Sequence, residues 1–309
     1  MAGIGIVVNP RGKKFKQDPD KIQRLSFIVG DQGSYSATED LHDLRRVAEE
    51  FKTRDIDILA IGGGDGTTHV TLSHFIEVYG EKPLPNITFL RGGTMNSLAN
   101  ACHIKGKPEK ILSQLIYNYH EGHPFESTEM DIMQINNLYG FIFGCGVIYR
   151  WMKSYYHGPM AASPPKATYT LLRAILSASM NGNYSRELFR RFDAEVTVDG
   201  EKWPFANWSA LYAGSIPILG LKAKVFHYSE EYRRFHAVGF SLPPRNVLRH
   251  VPNMFLGKPP RCDQILEQPA QEMVIRLAEP MPYTIDGDML PPAQTITVKT
   301  GPRIKILVK

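Results

Sequence analysis

A run of glycines between an apolar stretch and a helical pattern constrains this chain more than any other feature. Residues 62–68 read Gly-Gly-Gly-Asp-Gly-Thr-Thr and follow the apolar residues 58–61. Residues 70–79 then place apolar side chains at helical spacing, which predicts a strand, a tight turn and a helix. Glycines let a ligand approach the backbone, and the amides at a helix start favour an anion. The loop is therefore predicted to bind phosphate.

Asp65 is the unexpected residue in this loop. Phosphate repels a carboxylate unless a metal ion or a proton-accepting role accounts for it. A tight turn without any ligand is the structural alternative for the whole loop.

The first half of the chain alternates apolar runs with helical patterns, which is typical of a parallel sheet with right-handed crossovers. Ser36 and Glu39 have the spacing of a capping box, so a helix is predicted from there to Phe51. Strands are predicted at residues 4–8, 25–29, 56–61 and 86–90, and a further helix is predicted from Pro108.

Three polar or glycine-rich loops, at residues 9–14, 62–67 and 92–97, follow three of those strands. Ligands of parallel sheets bind at the carboxyl ends of the strands, so these loops are expected to meet. Neither a GxxxxGK[ST] P-loop nor the dinucleotide GxGxxG spacing is present.

The second half of the chain has a different pattern. From about residue 127, short alternating segments with turns between them replace the helix–strand rhythm. Asp199-Gly200 follows the alternating residues 195–198 and predicts a hairpin turn. These segments predict an antiparallel β-sandwich or partial barrel. One helix is predicted, at residues 168–180, with its leucines in the core.

Size and composition narrow the class of protein. A chain of 309 residues is too long for one ordinary core, so two domains are expected. The net charge of +5 without a dense basic run fits phosphate or an anionic membrane surface and argues against nucleic acid. Three scattered cysteines favour the cytoplasm. No apolar run approaches the roughly 18 residues of a membrane span, so lipid contact is expected to be peripheral, at the inner face of the membrane.

Three motifs in order resemble the diacylglycerol kinase catalytic domain, which bacterial lipid kinases share with sphingosine and ceramide kinases. Residues 63–67 are similar to its GGDGT signature, residues 8–10 to its Asn-Pro turn, and residues 93–99 to its GTxNDxA motif. The resemblance implies an α/β plus all-β fold: a parallel-sheet nucleotide-binding domain at residues 1–126 and an antiparallel β-sandwich lipid-substrate domain at residues 127–309. It also implies an active site in the cleft between them and a final segment that packs back on the first domain.

A fourth motif lies near the carboxyl end. Residues 283–288, Tyr-Thr-Ile-Asp-Gly-Asp, resemble the family's DGE motif, with Asp288 in place of glutamate. A second segment, Asp199-Gly200-Glu201, matches the DGE sequence at all three positions. It is interpreted as a hairpin turn, because the family motif follows a strand near the carboxyl end.

Phosphoryl transfer needs a phosphate cradle, a cation and a group that deprotonates the acceptor hydroxyl. ATP would bring Mg²⁺, and the resemblance implies that Asp65 and Asp131 reach the ion through water. It assigns Asp286, beside Asp288, as the general base toward a lipid hydroxyl, with Asp65 as the alternative. The residues predicted to bind the nucleotide are Asn9, Gly63, Gly64, Asp65, Gly66, Thr67, Gly93, Thr94 and Asn96.

Several assignments have structural alternatives. Asp131 could cap a turn, Thr94 could start a helix, and Asp286-Gly287 could form only a hairpin turn. Ser97 stands where many relatives have aspartate, so one acid of the family's network is missing or shifted.

The predicted function is an ATP- and Mg²⁺-dependent lipid kinase that phosphorylates diacylglycerol or a related lipid at a membrane surface. A sphingoid or ceramide lipid kinase is the first alternative. A soluble kinase of the NAD kinase type, which also carries GGDGT, is the second. The third is a catalytically impaired nucleotide- or lipid-binding protein, which Ser97 and Asp288 motivate.

Overall fold

The computed structural model describes residues 3–10, 12–18, 20–29, 33–37, 41–93, 95–157, 160–221 and 223–308. The chain divides into two compact units. The first unit combines Met1–Met130 with Arg303–Lys309, and the second is Asp131–Pro302. The second unit is thus an insertion between two segments of the first.

The first unit is built on parallel strands. Its described residues form strands β1 (Ile4–Val8), β2 (Gly33–Ala37), β3 (Ile58–Gly62) and β4 (Asn86–Phe89), and helices α1 (Lys13–Gln17), α2 (Asp20–Val29), α3 (Leu41–Arg54), α4 (Asp65–Tyr79), α5 (Ser97–Ala101) and α6 (Pro108–His120). The strand order is β2–β1–β3–β4, and Ile306 near the end of the chain pairs in parallel with Ile87 of β4. Strands β1 and β3 are buried along their whole lengths, as expected when both faces of a sheet are covered.

The predicted strand at residues 25–29 is wrong, because these residues lie in helix α2. Leu25 is buried and Ile22 packs against the same core, whereas Phe27 is 88% exposed. Apolar residues three apart on one face are a helical pattern, and the four apolar residues clustered at positions 25–29 concealed it.

The strand that pairs with β1 is β2, which follows α2 in the chain. Ser36 lies in this strand, so the predicted capping box with Glu39 is wrong for Ser36, and Glu39 lies outside the described residues. The helical spacing that continues to Phe51 is confirmed by α3, and the helix predicted from Pro108 is confirmed by α6.

The second unit is dominated by antiparallel strands, as predicted. Strands β5 and β17 run from one unit into the other. The elements from residue 127 onward are strands β5 (Ser127–Ile135), β6 (Leu138–Gly140), β7 (Ile142–Gly146), β8 (Phe192–Val198), β9 (Glu201–Lys202), β10 (Asn207–Trp208), β11 (Ala210–Gly214), β12 (Ile218–Leu219), β13 (Ala223–Lys224), β14 (Phe235–Phe240), β15 (Ile265–Ala270), β16 (Glu272–Ile285) and β17 (Asp288–Leu307), and helices α7 (Val147–Tyr156), α8 (Pro164–Ser179), α9 (Asn183–Leu188), α10 (Pro244–Val247) and α11 (Val251–Leu256).

Strands β15, β14, β11, β7 and β16 pair in that order, and β8 also pairs with β16. Their inward side chains form an apolar core around Phe143, Trp208 and Ile275. The prediction of a single helix in this half is wrong, because the described residues contain five. Helix α7 begins after Gly146, whose φ of +66° turns the chain out of β7, a conformation that glycine adopts without penalty.

None of the helices in the described part of the chain combines the length and the apolar character that crossing a membrane requires.

Candidate functional site

The three loops predicted to meet at the carboxyl ends of β1, β3 and β4 do meet. Asn9, directly after β1, donates its main-chain N–H to the carbonyl of Gly62 at 2.9 Å. Its side-chain Nδ2 donates to the Thr67 hydroxyl at 3.0 Å. Asn9 therefore joins the first loop to the glycine loop by two hydrogen bonds.

Glycine pairs let the second and third loops touch through their main chains. A Cβ on Gly93 would lie 2.3 Å from the Cα of Gly64, and a Cβ on Gly92 would lie 3.1 Å from the Cα of Gly63. A Cβ on Gly63 would lie 2.3 Å from the Cβ of Thr67. Side chains at these positions would push the loops apart, so the glycines are required for the loops to interlock.

The interlocked loops lie at the start of helix α4. Gly64 is the residue before the helix, and no side chain caps it there. The first N–H groups of a helix have no acceptor within the helix and carry the positive end of its dipole. This part of the structure can therefore bind an anion such as a phosphate group.

Asn96 closes the third loop. It is buried and has a φ of +48°, in the left-handed region. Its Oδ1 accepts the N–H of Gly93 at 3.0 Å, and its Nδ2 donates to the carbonyl of Gly93 at 3.0 Å. Both polar groups of the amide are used within the loop, so Asn96 shapes the loop, and its contact with a nucleotide stays a prediction. Thr94 lies outside the described residues.

Asp65 connects the glycine loop to helix α5. Its Oδ2 accepts the N–H of Ser97 at 3.0 Å, and its Oδ1 accepts the N–H of Leu98 at 3.2 Å. Burial raises the pKa of Asp65, while these donors and the nearby Arg91 guanidinium act in the opposite direction. The carboxylate therefore has a structural task in addition to its predicted catalytic and metal-binding roles.

Replacing Asp65 with asparagine is expected to lower the free energy of unfolding by about 1–3 kcal/mol. Each carboxylate oxygen accepts a different N–H group, and asparagine can offer an oxygen to only one of them. Chemical denaturation measures the change. An unchanged midpoint would show that the link between Asp65 and α5 contributes nothing to stability.

Arg91 was missed by the sequence interpretation. It has a φ of +52°, and its guanidinium donates to Asn100 Oδ1 at 2.8 Å and to the Ile104 carbonyl at 2.5 Å. It fixes the residues that follow α5, close to Asp65. No motif identifies Arg91, because its contacts depend on a left-handed backbone turn that no local sequence pattern predicts.

Asp131 is buried in β5, and its Oδ2 accepts the main-chain N–H of Arg233 at 2.7 Å. Arg233 has a φ of +59°, which is uncommon for a residue with a side chain. The carboxylate thus holds a turn, as its structural alternative predicted. Its role toward a metal ion stays a prediction.

No group of three or more His, Cys, Asp or Glu side chains is arranged to hold a metal ion within the described ranges. Mg²⁺ commonly keeps several waters and takes its remaining ligands from one or two carboxylates and the substrate phosphates. The isolated acids here fit a magnesium ion of that kind, and they do not form a cage that would hold the ion alone.

Asp286 and Gly287 form the two-residue turn between β16 and β17, in which Ile285 pairs with Asp288. Their φ values of +49° and +92° are both positive, as a type I′ hairpin turn requires. Asp286 Oδ1 accepts the N–H groups of Phe141 at 3.1 Å and Ile142 at 2.8 Å. These donors favour the ionised carboxylate, which is the form that can accept a proton.

Asp199 and Gly200 form a turn of the same design between β8 and β9, as predicted. Their φ values are +49° and +85°. Asp199 Oδ1 likewise accepts two successive N–H groups, from Gln271 at 2.9 Å and Glu272 at 2.8 Å. Turn geometry therefore does not distinguish the two Asp-Gly sites.

Their surroundings do distinguish them. Asp199 lies 3.7 Å from the Arg234 guanidinium, in an ion pair. A Cβ on Gly287, beside Asp286, would lie 3.3 Å from the Met152 Cε and 3.4 Å from the Tyr156 hydroxyl, so this turn lies against helix α7. Residues 141–156 are rich in aromatic side chains, but no sequence pattern placed them at this turn.

Comparisons with known proteins agree with the motifs. Residues 4–125 match the model of the diacylglycerol kinase catalytic domain. Diacylglycerol kinases of Staphylococcus aureus strains JH9 and Newman are 34% identical over 138 residues, which cover 43% of this chain and 40% of theirs. The matched region thus spans less than half of those relatives.

Similarity of fold extends further than similarity of sequence. A solved structure of a diacylglycerol kinase from Bacillus anthracis strain Sterne superposes with a TM-score of 0.67 at 13% identity, covering 99% of this chain and 97% of that one. Another structure from the same strain gives a TM-score of 0.72 over the same shares, also at 13% identity. At this identity the superpositions establish the fold.

Proposed function

We propose that the protein is an ATP-dependent lipid kinase, because residues 4–125 match the model of the diacylglycerol kinase catalytic domain. It transfers the γ-phosphoryl group to a hydroxyl of diacylglycerol or a related lipid. The observation that carries the proposal is the interlocking of the loops at residues 62–67 and 92–97 at the start of α4.

The glycine loops serve as the phosphate cradle. Main-chain N–H groups of Gly63, Gly64, Gly66 and Thr67 bind phosphate oxygens, because the glycines leave no side chains in the way. Asn9 holds Thr67 in place through their hydrogen bond. Gly93, Thr94 and Asn96 complete the nucleotide-binding set in this proposal.

Magnesium bound with the nucleotide would neutralise charge on the phosphates. Asp65 and Asp131 are the residues that would hold it, through water. Ser97 stands where an aspartate would place a second carboxylate next to Asp65, and the main-chain N–H of Ser97 donates to Asp65 Oδ2. The first unit therefore contributes less negative charge at this point than an aspartate at position 97 would.

Asp286 acts as the general base toward the acceptor hydroxyl. Its carboxylate is oriented by the two N–H groups of Phe141 and Ile142. Asp65 remains the alternative base, although both of its oxygens already hold the start of α5. Asp288 begins β17 and supports the turn that carries Asp286.

Transfer of radiolabelled phosphate from γ-labelled ATP to lipids in mixed micelles tests the proposal. The acceptor panel contains diacylglycerol, sphingosine, ceramide and monoacylglycerol, with NAD as the soluble control. We expect labelling of at least one lipid, dependent on Mg²⁺ and abolished by EDTA. Labelling of NAD alone would favour the soluble-kinase alternative, and nucleotide binding without any transfer would favour the impaired binding protein.

A further inference from the structure

Helix α8 buries small residues and exposes large apolar ones, which is the reverse of an ordinary surface helix. Its buried positions include the small residues Ala167, Thr170, Ala174 and Ala178. Its exposed positions include Tyr169 at 56%, Leu172 at 53% and Leu176 at 63%, followed by Met180 at 80%. The expectation that the leucines of this helix lie in the core is therefore wrong for Leu172 and Leu176.

We name the exposed side chains of Tyr169, Leu172, Leu176 and Met180 the α8 stripe. They are three or four residues apart and so lie on one face of the helix. Burial of small residues lets α8 lie close to the protein, and the large apolar side chains then project into solvent. Single exposed apolar residues are ordinary, but four aligned ones indicate a surface that contacts something.

The excess positive charge of the chain lies in the segment that contains this stripe. Residues 147–193, from the start of α7 to just beyond α9, contain seven Lys or Arg and two Asp or Glu, a net charge of +5, and of these cations Lys166 is buried. This equals the net charge of the whole chain, because the other 29 basic and 29 acidic residues cancel. Basic residues with an exposed apolar helix face are the combination that binds an anionic lipid surface.

One basic residue of α8 contacts the neighbouring helix α9. The Arg173 guanidinium, between Leu172 and Leu176 in the chain, lies 4.2 Å from the centre of the Tyr184 ring of α9. Tyr184 lines an open cavity of about 900 Å³ whose wall includes Lys153 and Arg190, together with acidic residues.

The same group of helices adjoins the predicted catalytic turn. The Gly287 turn lies against Met152 and Tyr156 of α7, as described above. Tyr156 is 46% exposed and Met160, which follows, is 45% exposed. Exposed apolar side chains therefore lie on α7, next to the turn that carries Asp286, as well as on α8.

We propose that α7, α8 and α9 form a docking surface for an anionic phospholipid bilayer. The α8 stripe inserts at the boundary between headgroups and acyl chains, and the basic residues of the segment contact the headgroups. The membrane is the occupant because the surface combines the excess positive charge with apolar side chains. The inference draws on the proposed lipid substrate, but binding to vesicles is measured without ATP, so the two proposals can fail separately.

Flotation with vesicles of phosphatidylcholine mixed with phosphatidylglycerol, and with phosphatidylcholine alone, tests the surface. The full chain is expected to bind the anionic vesicles and to dissociate as salt rises. The double variant Leu172→Gln/Leu176→Gln is expected to lower the partition coefficient by roughly tenfold or more. Its matched control, Phe27→Gln/Tyr117→Gln, removes two exposed aromatic side chains from the first unit and is expected to bind as the wild type does.

The charge contribution has its own matched pair. Arg186→Gln/Arg190→Gln is expected to weaken binding by roughly tenfold, because two cations are removed from the docking surface. Arg46→Gln/Arg54→Gln changes the net charge equally on α3 and is expected to have little effect. All four double variants alter exposed residues, so thermal unfolding should remain close to that of the wild type.

Equal binding of the α8 and control variants would overturn the proposal, as would equal binding to vesicles with and without phosphatidylglycerol. A wild-type dimer that becomes monomeric in Leu172→Gln/Leu176→Gln, with vesicle binding unchanged, would assign the stripe to a second copy of the chain. Phosphorylation of a short-chain diacylglycerol without vesicle binding would refute the docking surface and support the kinase activity. Vesicle binding without phosphate transfer to any lipid would support the docking surface and refute the kinase activity.

Discussion

Replacing Asp286 with asparagine is expected to lower kcat for lipid phosphorylation by about 10²–10⁴-fold, the usual cost of losing a general base. Asparagine is well tolerated at positive φ. Its one carbonyl oxygen can keep both hydrogen bonds that Oδ1 accepts from Phe141 and Ile142, and only the second contact of the Phe141 N–H, to Oδ2 at 3.0 Å, is lost. The fold should therefore survive, and the loss should appear in kcat rather than in thermal stability.

Asp199→Asn is an unusually close control for this variant. It makes the same chemical change at the same position of the same kind of turn, where Oδ1 again accepts two successive N–H groups. We expect its kcat to stay within about twofold of the wild type, as for surface substitutions away from a site. A large loss in Asp199→Asn with none in Asp286→Asn would exchange the roles of the two Asp-Gly sites.

The competing assignment makes Asp65 the base. It predicts normal turnover in Asp286→Asn and no turnover in Asp65→Asn. Because Asp65 also holds α5, its variant must be assayed at a temperature where circular dichroism shows it folded. A deficit in kcat that persists under those conditions belongs to chemistry and not to unfolding.

Replacing Gly93 with alanine is expected to abolish measurable nucleotide binding or reduce it by at least about 100-fold. The new Cβ would lie 2.3 Å from the Cα of Gly64, and neither partner has a flexible side chain that could move away. The two loops must separate, and a displacement of about 1 Å in a binding constellation costs roughly 10²-fold. Isothermal titration with an ATP analogue measures the effect.

Two further glycine variants serve as graded controls for Gly93→Ala. Gly64→Ala places its Cβ 3.1 Å from the Cα of Gly93, a closer contact than normal but one that a small shift can relieve, so a weaker effect is expected. Gly122→Ala has open space around it, and its φ of +67° costs only backbone strain of about 1 kcal/mol. If all three variants bound the analogue equally, the interlocked glycines would have no part in nucleotide binding.

The meeting of the glycine loops was predictable because glycine removes the side chains that would keep two main chains apart. Consecutive glycines lie at residues 62–64 and 92–93, each close to the end of an apolar strand. The carboxyl ends of parallel strands then bring the loops together. Local sequence and topology agree here, so the meeting of the loops followed from both.

Other parts of the chain depended on contacts that no local pattern records. Residues 25–29 are apolar enough for a strand, and only packing of Leu25 against the core selects the helix. For α8, the helical period was correct but the buried face was not. Hydrophobicity alone places leucines inside, whereas close packing of the alanines placed them outside.

The two Asp-Gly turns show that local sequence could not identify the catalytic acid. Asp286 and Asp199 occupy the same local structure, so neither the motif nor the turn identifies a catalytic acid. The difference lies in long-range neighbours: Arg234 beside Asp199, and α7 beside the Gly287 turn. Only the position of the motif near the carboxyl end had separated the two in sequence.

Strand β17 affects how the parallel sheet is completed. Thr88 on β4 donates its hydroxyl at 3.1 Å to the carbonyl of Leu307, which lies 219 positions later in the chain. Until these two segments meet, β4 presents an open edge, which is a hazard for wrong pairing. Closing residues 131–302 as an unfolded loop would cost entropy that grows with the logarithm of loop length. Because a compact segment closes the same loop at a lower entropic cost, β4 is expected to gain this neighbour only after residues 131–302 have folded.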